Sequence, residues 1–248
     1  MLLPAAPRDR LRPPFRPTVD TPFGPLAFET VLGDTALPSA PDELFVLPGG
    51  SGGRLIARWT RPSARVELLL TAYDPELDPD TWGPLTDCRA AVWRIEALAP
   101  LARVRFEASL PHPLPEGADS GWDGGQALAA FTVEDERTRL TVGGNDEEAI
   151  CGAAEAGEAP RRWTALLDEV HGNKFDGWGV DATGSPAMTW RLPPLEAGDH
   201  CELPVVAAWA PVEDDTANTW YAVMPSPTVI LRRLALALAL DTPAAPAP

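Results

Sequence analysis

The chain of 248 residues is poor in lysine, histidine and tyrosine, and no stretch of it is a basic run. A single lysine, Lys174, stands among 20 basic residues, while 36 acidic residues give a net charge of −16. Nucleic acids and anionic membranes are bound by clustered Lys and Arg that neutralise phosphate, so neither partner is expected. The abundance of Ala, Pro, Arg and Gly indicates a GC-rich bacterial genome and says nothing about function.

The sequence also lacks the spacing of a metal or redox site. Its cysteines lie far apart: Cys88, Cys151 and Cys201. They form no zinc-type or redox-type pair, and their odd number does not support a disulfide framework. Each histidine is isolated from Cys and from a second His, so a metal triad would have to assemble purely in three dimensions. We expect no cofactor.

Long apolar runs are absent as well. Prolines and arginines interrupt the N-terminal MLLPAAPRDRLRPPFRP, which leaves no apolar core of signal-peptide length. The most apolar stretch, VILRRLALALAL, contains Arg232 and Arg233 and is too short for a transmembrane helix. We therefore expect a cytoplasmic protein that does not enter the membrane.

The chain does contain segments with the alternating pattern of β-strands. They are RVELLLTAY (65–73), RAAVWRIEAL (89–98) and ARVRFEASL (102–110). Apolar residues alternate with Arg and Glu in each of them, which is the period of half-buried antiparallel strands. A chain of this length can form one large domain of this kind. The sequence therefore predicts a mainly β fold: a large two-sheet antiparallel β-sandwich with one short capping helix and a C-terminal helix.

The predicted organisation has four parts. Residues 1–25 contain seven prolines and form an extended arm, since proline removes the donors that a sheet needs. Residues 26–227 form the sandwich, residues 228–240 an apolar segment that favours a helix, and residues 241–248 a Pro/Ala tail. Helical spacing of apolar residues predicts the capping helix within 160–172.

Other expectations concern the connections. The loop between two predicted strands is placed at 111–125, and the segments 126–135 and 137–143 are expected to pair as a hairpin. TWYAVM (219–224) is expected to form the last strand.

Two groups of polar or aromatic residues are candidate sites. Asp74, Asp78 and Asp80 share one loop and could offer oxygen ligands to calcium. Prolines at 75 and 79 spoil the standard loop spacing, so a solvated acidic loop is favoured and no metal site is predicted.

Nine tryptophans against two tyrosines are the more unusual feature. Most are expected to fill the core: Trp59, Trp93, Trp190, Trp209 and Trp220. Trp163 falls within the predicted capping helix. The remaining three lie in polar or Gly-rich loops near aspartates, a combination typical of carbohydrate contacts, although they could instead cover the ends of the sheets. The candidate ligand-binding residues are Trp82, Trp122, Asp123, Asp176, Trp178 and Asp181.

Three segments carry a family resemblance: LLLTAYDPELDPD followed by AAVWRIEAL, LPPLEAGDHCELPVVAAWAP, and TWYAV before the Leu-rich end. In pattern they resemble the N-terminal β-sandwich domain of non-lysosomal glucosylceramidase-type β-glucosidases. The resemblance implies that the catalytic carboxylates belong to the helical barrel that follows the sandwich in that family. No catalytic residue is carried over to this chain.

The preferred hypothesis is a non-catalytic β-sandwich related to carbohydrate-enzyme accessory domains, which binds a glycan or a partner protein. The alternative is a structural or interaction subunit that docks through one sandwich face. A small hydrolase is least favoured, because no nucleophile, paired carboxylates or metal cluster can be recognised. The apolar C-terminal segment further predicts a homo-oligomer or a partner bound at that end.

Overall fold

The computed structural model describes residues 17–47, 54–172, 177–182, 186–212 and 217–240. Its strands are β1 (Thr18–Thr21), β2 (Gly24–Leu32), β3 (Thr35–Ala36), β4 (Glu43–Leu47), β5 (Arg54–Thr60), β6 (Ala64–Ala72), β7 (Asp87–Ala97), β8 (Val104–Ser109), β9 (Asp119–Gly125), β10 (Leu128–Glu134), β11 (Thr138–Asn145), β12 (Gly179–Asp181), β13 (Ala187–Leu192) and β14 (His200–Pro211). Its helices are α1 (Pro79–Trp82), α2 (Glu147–Gly152), a 3-10 turn (Arg161–Leu166), α3 (Leu167–His171), α4 (Asn218–Ala222) and α5 (Pro227–Leu240).

The strands form two antiparallel sheets, as the sequence predicts. The six-stranded sheet has the order β1-β2-β8-β13-β12, with β3 paired to β2, and the eight-stranded sheet has the order β4-β5-β6-β7-β14-β11-β10-β9. The strands predicted at 65–73 and 89–98 pair as β6 and β7, and the hairpin predicted over 126–143 forms from β10 and β11. Part of the N-terminal arm, β1, pairs with β2.

The main core lies between the two sheets. Alternate residues of each strand point inward, so aromatic rings from both sheets meet at the centre. Trp93 stacks on Phe106 at 4.8 Å between ring centroids and meets Trp190 edge-on at 6.1 Å. Both tryptophans are fully buried, as the sequence predicts for core positions. Such offset and edge-on contacts are the preferred geometry of aromatic pairs.

A second apolar cluster covers part of the outer face of the eight-stranded sheet. Helices α4 and α5 pack there, and Ile230 and Leu234 of α5 are buried beside Leu69 and Val92 of the sheet. This confirms the predicted C-terminal helix. The predicted capping helix is also present, as the 3-10 turn followed by α3, and its Trp163 joins the main core.

Two sequence-based expectations are wrong. Residues 219–222 belong to helix α4 and not to a last strand, because this segment packs on the outer face of the sheet, where Ala222 is buried. Residues 119–125 of the expected loop form strand β9, which lies at the edge of the sheet and covers no core. No helix within the described ranges is both long and apolar enough to span a membrane.

Candidate functional site

The tryptophans predicted to contact a ligand lie in different environments. Trp178 is 7% exposed, so its indole has no free face to offer. Trp82 of α1 is half-buried and packs on Tyr221 of α4, with 4.3 Å between ring centroids. Only Trp122 is widely exposed, at 62%. The three rings therefore do not form one aromatic surface.

Trp122 and Asp123 point to opposite faces of β9. In the sheet register Trp122 is opposite Phe131, which faces the core, and Asp123 is opposite Ala130, which faces outward. The Trp122 indole lies over Gly124, since a Cβ at that glycine would be 3.3 Å from indole Cζ2. The ring therefore contacts its own strand, and most of the side chain is open to solvent, since Trp122 is 62% exposed.

The predicted aspartates are also dispersed. Asp181 of β12 lies 3.4 Å from the guanidinium of Arg191 on the neighbouring strand, and Asp176 lies outside the described residues. Asp74 accepts the backbone N–H of Glu76, and Asp78 accepts both the backbone N–H of Asp80 and the hydroxyl of Thr81. These bonds fix the loop and the start of α1. In the part of the chain that is described, no group of three His, Cys, Asp or Glu residues could hold a metal ion.

A different cluster, not singled out from the sequence, crosses the outer face of the eight-stranded sheet. We call it the charge ladder, because acidic and basic residues alternate where they lie opposite one another in five neighbouring strands. Its members are Glu43, Arg58, Glu67, Arg94 and Glu202. Opposite charges placed directly across from one another are the stabilising arrangement in a sheet.

Short ion pairs connect the ladder. Arg58 bridges Glu43 at 3.0 Å and Glu67 at 2.7 Å, and Arg94 bridges Glu67 at 3.6 Å and Glu202 at 2.8 Å. Glu67 is 7% exposed, so two guanidinium partners compensate for the water that its carboxylate loses on folding. Burial acts to lower the pKa of Arg58, but its hydrogen bonds to Glu67 and Glu43 outweigh burial and raise the pKa above its ordinary value.

A second polar row lies beside the ladder and deepens it into a groove. Arg65, Glu96 and His200 are opposite one another in register, and Arg65 bridges Glu96 at 2.5 Å. His200 Nε2 lies 3.0 Å from the carbonyl oxygen of Gly157. A cavity of about 320 Å³ runs between these side chains. We call it the outer groove and define it by its polar lining: Arg65, Glu67, Arg94, Glu96, His200 and Glu202.

The outer groove is nearly neutral, although the chain is strongly acidic. Its lining has two guanidiniums, three carboxylates and one imidazole. It occupies the part of the outer sheet face that carries charged side chains, whereas the apolar part of the same face lies under α4 and α5. The groove thus combines donors and acceptors at fixed positions on a rigid sheet.

Two further cavities have other characters. One, of about 330 Å³, opens between the sheets and is lined by aromatic residues including Phe28, Trp59 and Trp93. The other, of about 340 Å³, lies beneath the loop that carries α1 and is lined in part by Tyr73. Burial raises the pKa of Tyr73 to about 12, and the guanidinium of Arg233 lies 5.2 Å from its ring centroid.

Comparisons with known proteins find similarity in structure but not in sequence. No family model matches the chain, and no curated protein matches its sequence. A solved structure described as "Putative kojibiose phosphorylase from human microbiome" is similar over 88% of this chain, with a TM-score of 0.45 and 8% sequence identity. The chain spans about a quarter of that protein's length, since 26% of it is covered.

Proposed function

We propose that the chain is a non-catalytic β-sandwich that binds a neutral carbohydrate in the outer groove. The observation that carries this proposal is the alternation of guanidiniums and carboxylates along the groove. A sugar hydroxyl both donates and accepts hydrogen bonds, so neighbouring hydroxyls can donate to Glu67 or Glu202 and accept from Arg94 or Arg65. Neutral, hydroxyl-rich ligands suit such a surface better than ions of either sign.

The size and charge of the groove support the same class of ligand. Its volume of about 320 Å³ lies at the lower end of the range for small-molecule sites. The near-balance of charge in its lining would neither attract nor repel an ion strongly. The groove, which contains two arginines, is therefore closer to neutral than the chain as a whole, whose net charge is −16.

The proposed function is non-catalytic because the carboxylates of the groove are already held in ion pairs. Glu67 and Glu202 are engaged by Arg94, and Glu96 is engaged by Arg65. A carboxylate held by a guanidinium suits ligand contact better than the uptake of a substrate proton. The pairs also fix the side-chain rotamers, so little conformational entropy is lost when a ligand is bound.

Binding to a glycan array, followed by calorimetry with the sugars that bind, tests the proposal. Arg65→Ala and Glu202→Ala each remove a contact to the ligand, and a charge-assisted hydrogen bond of about 1.5–3 kcal/mol corresponds to affinity lower by about 10-fold or more. The matched control is Arg103→Ala, whose ion pair with Asp34 is highly exposed and outside the groove. Failure of the wild type to bind any neutral sugar, or groove variants that both bind as tightly as the wild type, would refute the proposal.

A second candidate function is that of an interaction subunit that self-associates or docks through α5. Val229 and Leu236 lie on one side of this helix and are 37% and 60% exposed. Light scattering on the full chain tests it: Leu236→Glu should yield a smaller species if this surface forms the contact, whereas Arg103→Ala, an exposed change away from this helix, should not. Identical molar masses for all three proteins would exclude this surface.

A further inference from the structure

The edge strand β9 has one side without a neighbouring strand among the described residues. It ends the eight-stranded sheet, and all seven of its residues are exposed. An unpaired strand edge presents free N–H and C=O groups and is a template for another extended segment. The strand has no Lys or Pro, two residues that natural edges use to prevent such pairing.

The turn that leads out of β9 adds to this observation. Gln126 and Ala127 connect β9 to β10 and have φ values of +57° and +61°. A two-residue hairpin turn of this kind normally takes Asn and Gly, since other residues are strained at positive φ. The pairing of β9 with β10 is therefore maintained against a local cost, although β9 buries no core.

The charged residues of β9 indicate which kind of segment could pair with its free edge. Asp119 and Asp123 lie on one face of β9, and Trp122 lies on the other. A complementary strand would carry basic residues at alternate positions with an apolar residue between them. Residues 8–12 of this chain, Arg-Asp-Arg-Leu-Arg, have this pattern, with Arg8, Arg10 and Arg12 on one face and Asp9 and Leu11 on the other.

The same segment has the length of a strand. It lies between Pro7 and Pro13, and its five residues are the longest run without proline in the first 17 residues. Each of its residues can offer a backbone N–H, whereas proline cannot. Strands of about five residues are common. The segment lies outside the described residues and belongs to the most basic part of an acidic chain.

Distance indicates that the segment must come from a second copy. β1 lies at the far edge of the six-stranded sheet, and β13 of that sheet contacts β10. On the standard spacing of neighbouring strands, a strand added beyond β9 would therefore lie about 24 Å from β1, measured parallel to the sheets. The separation of the two packed sheets adds about 10 Å in the perpendicular direction. The chain from residue 12 to Thr18 extends to only about 20 Å.

We propose that residues 8–12 of one copy add as a strand to the free edge of β9 in a second copy. The arginines at alternate positions would face Asp119 and Asp123, and Leu11 would contact the exposed Trp122 indole. Backbone hydrogen bonds would supply affinity and the side chains would supply the register, as in other cases of strand addition.

Complementary charge reversal in the full chain tests this proposal. One variant, R8E/R10E/R12E, reverses the segment, and another, D119K/D123K, reverses the edge. We expect the wild type to self-associate in sedimentation velocity experiments, less at 0.5 M NaCl than at 0.05 M, and each variant alone to be monomeric. Mixing the two variants should restore association, because each segment then meets an edge of opposite charge.

The mixture distinguishes contact between copies from contact within one chain, since a segment that folds back on its own chain gains nothing from mixing. The control is D20K/D34K, which makes the same change of net charge as D119K/D123K but at exposed positions outside β9. This variant should associate like the wild type or more strongly. A monomeric wild type overturns the proposal, and so does a mixture that stays monomeric. Circular dichroism establishes that all variants are folded, and Leu236→Glu should leave this association unchanged.

Discussion

The buried carboxylate of Glu158 accepts a hydrogen bond from the backbone N–H of Thr228 at 2.9 Å. Glu158 is 5% exposed, and Thr228 lies in the first turn of α5. The first N–H groups of a helix have no partner within the helix, and a negative charge there also interacts favourably with the helix dipole. The backbone of Glu158 accepts the N–H of Glu202, so this residue joins α5 to β14 next to the outer groove.

Glu158→Ala should destabilise the protein by about 1–2 kcal/mol, the usual cost of losing a helix N-terminal cap. Glu158→Gln keeps an acceptor oxygen and should cost less, which separates the hydrogen bond from the charge. Urea unfolding of both variants and of the wild type measures the difference. Equal stability of Glu158→Ala and the wild type would show that the hydrogen bond is replaced by water without cost.

Gly144 of β11 is predicted to be intolerant of any side chain. A Cβ there would lie 2.6 Å from the carbonyl oxygen of Pro204 and 2.8 Å from Trp190 Cζ2. Gly144→Ala should therefore cost about 1–3 kcal/mol, as overpacking of a core does. Gly152→Ala is the control, since a Cβ at Gly152 would have no atom within 4 Å beyond its chain neighbours and the backbone of its own helix, and alanine favours a helix. Thermal unfolding should separate the two variants clearly.

The sequence predicts the sandwich well because most strands cover a core. In β6 and β7 the inward positions are apolar, so the pattern has a period of two over many residues. Strand β9 escapes prediction because Asp-Ser-Gly-Trp-Asp-Gly-Gly buries nothing, and only its pairing with β10 makes it a strand. Helix α4 is mistaken for a strand because Trp220, Tyr221 and Val223 have high β-propensity, which packing on the sheet overrides.

The outer groove could not be found from the sequence for a different reason. Arg94 and Glu202 are 108 positions apart, and their contact depends on the pairing of β7 with β14. Charged residues on outward positions are expected in any sheet, so no single strand marks them as unusual. Trp122 stands out in the sequence because aromatic residues in Gly-rich segments are conspicuous, and its ligand-binding role remains a prediction.

The three cysteines should be inert towards thiol reagents in the folded protein. Burial raises the pKa of Cys88 and of Cys201 well above the usual range, and that of Cys151 to about 11. The thiolate is the reactive form, so reaction at pH 8 requires unfolding. Ellman's reagent should modify the protein only in denaturant. Rapid modification without denaturant would contradict this prediction.

The buried cysteines also predict that the free energy of unfolding falls from about pH 9 towards pH 11, because the thiols of the unfolded chain ionise at lower pH than those of the folded protein.

The ion pair of Asp199 with Arg162 should stabilise the folded protein, and this contribution should be lost in acid. The Arg162 guanidinium, 2.5 Å from Asp199, holds the pKa of this carboxyl below its ordinary value. A depressed folded-state pKa stabilises the fold above the unfolded pKa of about 3.9 and stops doing so as pH falls through the folded value. Stability of the wild type should therefore decline more steeply below pH 4 than that of Arg162→Ala. Arg103→Ala serves as the control, and parallel curves for all three proteins would contradict the prediction.

Two apolar residues of α5 should differ sharply in their effect on stability. Ile230 is fully buried against the outer face of the eight-stranded sheet, whereas Leu236 is 60% exposed. Ile230→Ala leaves a cavity and should cost about 2–4 kcal/mol, whereas Leu236→Ala should change stability by no more than about 0.5 kcal/mol. Urea unfolding followed by tryptophan fluorescence measures both. A loss at Leu236 that grows with protein concentration would instead reveal a contact between copies at this residue, because only an intermolecular contact makes apparent stability depend on concentration.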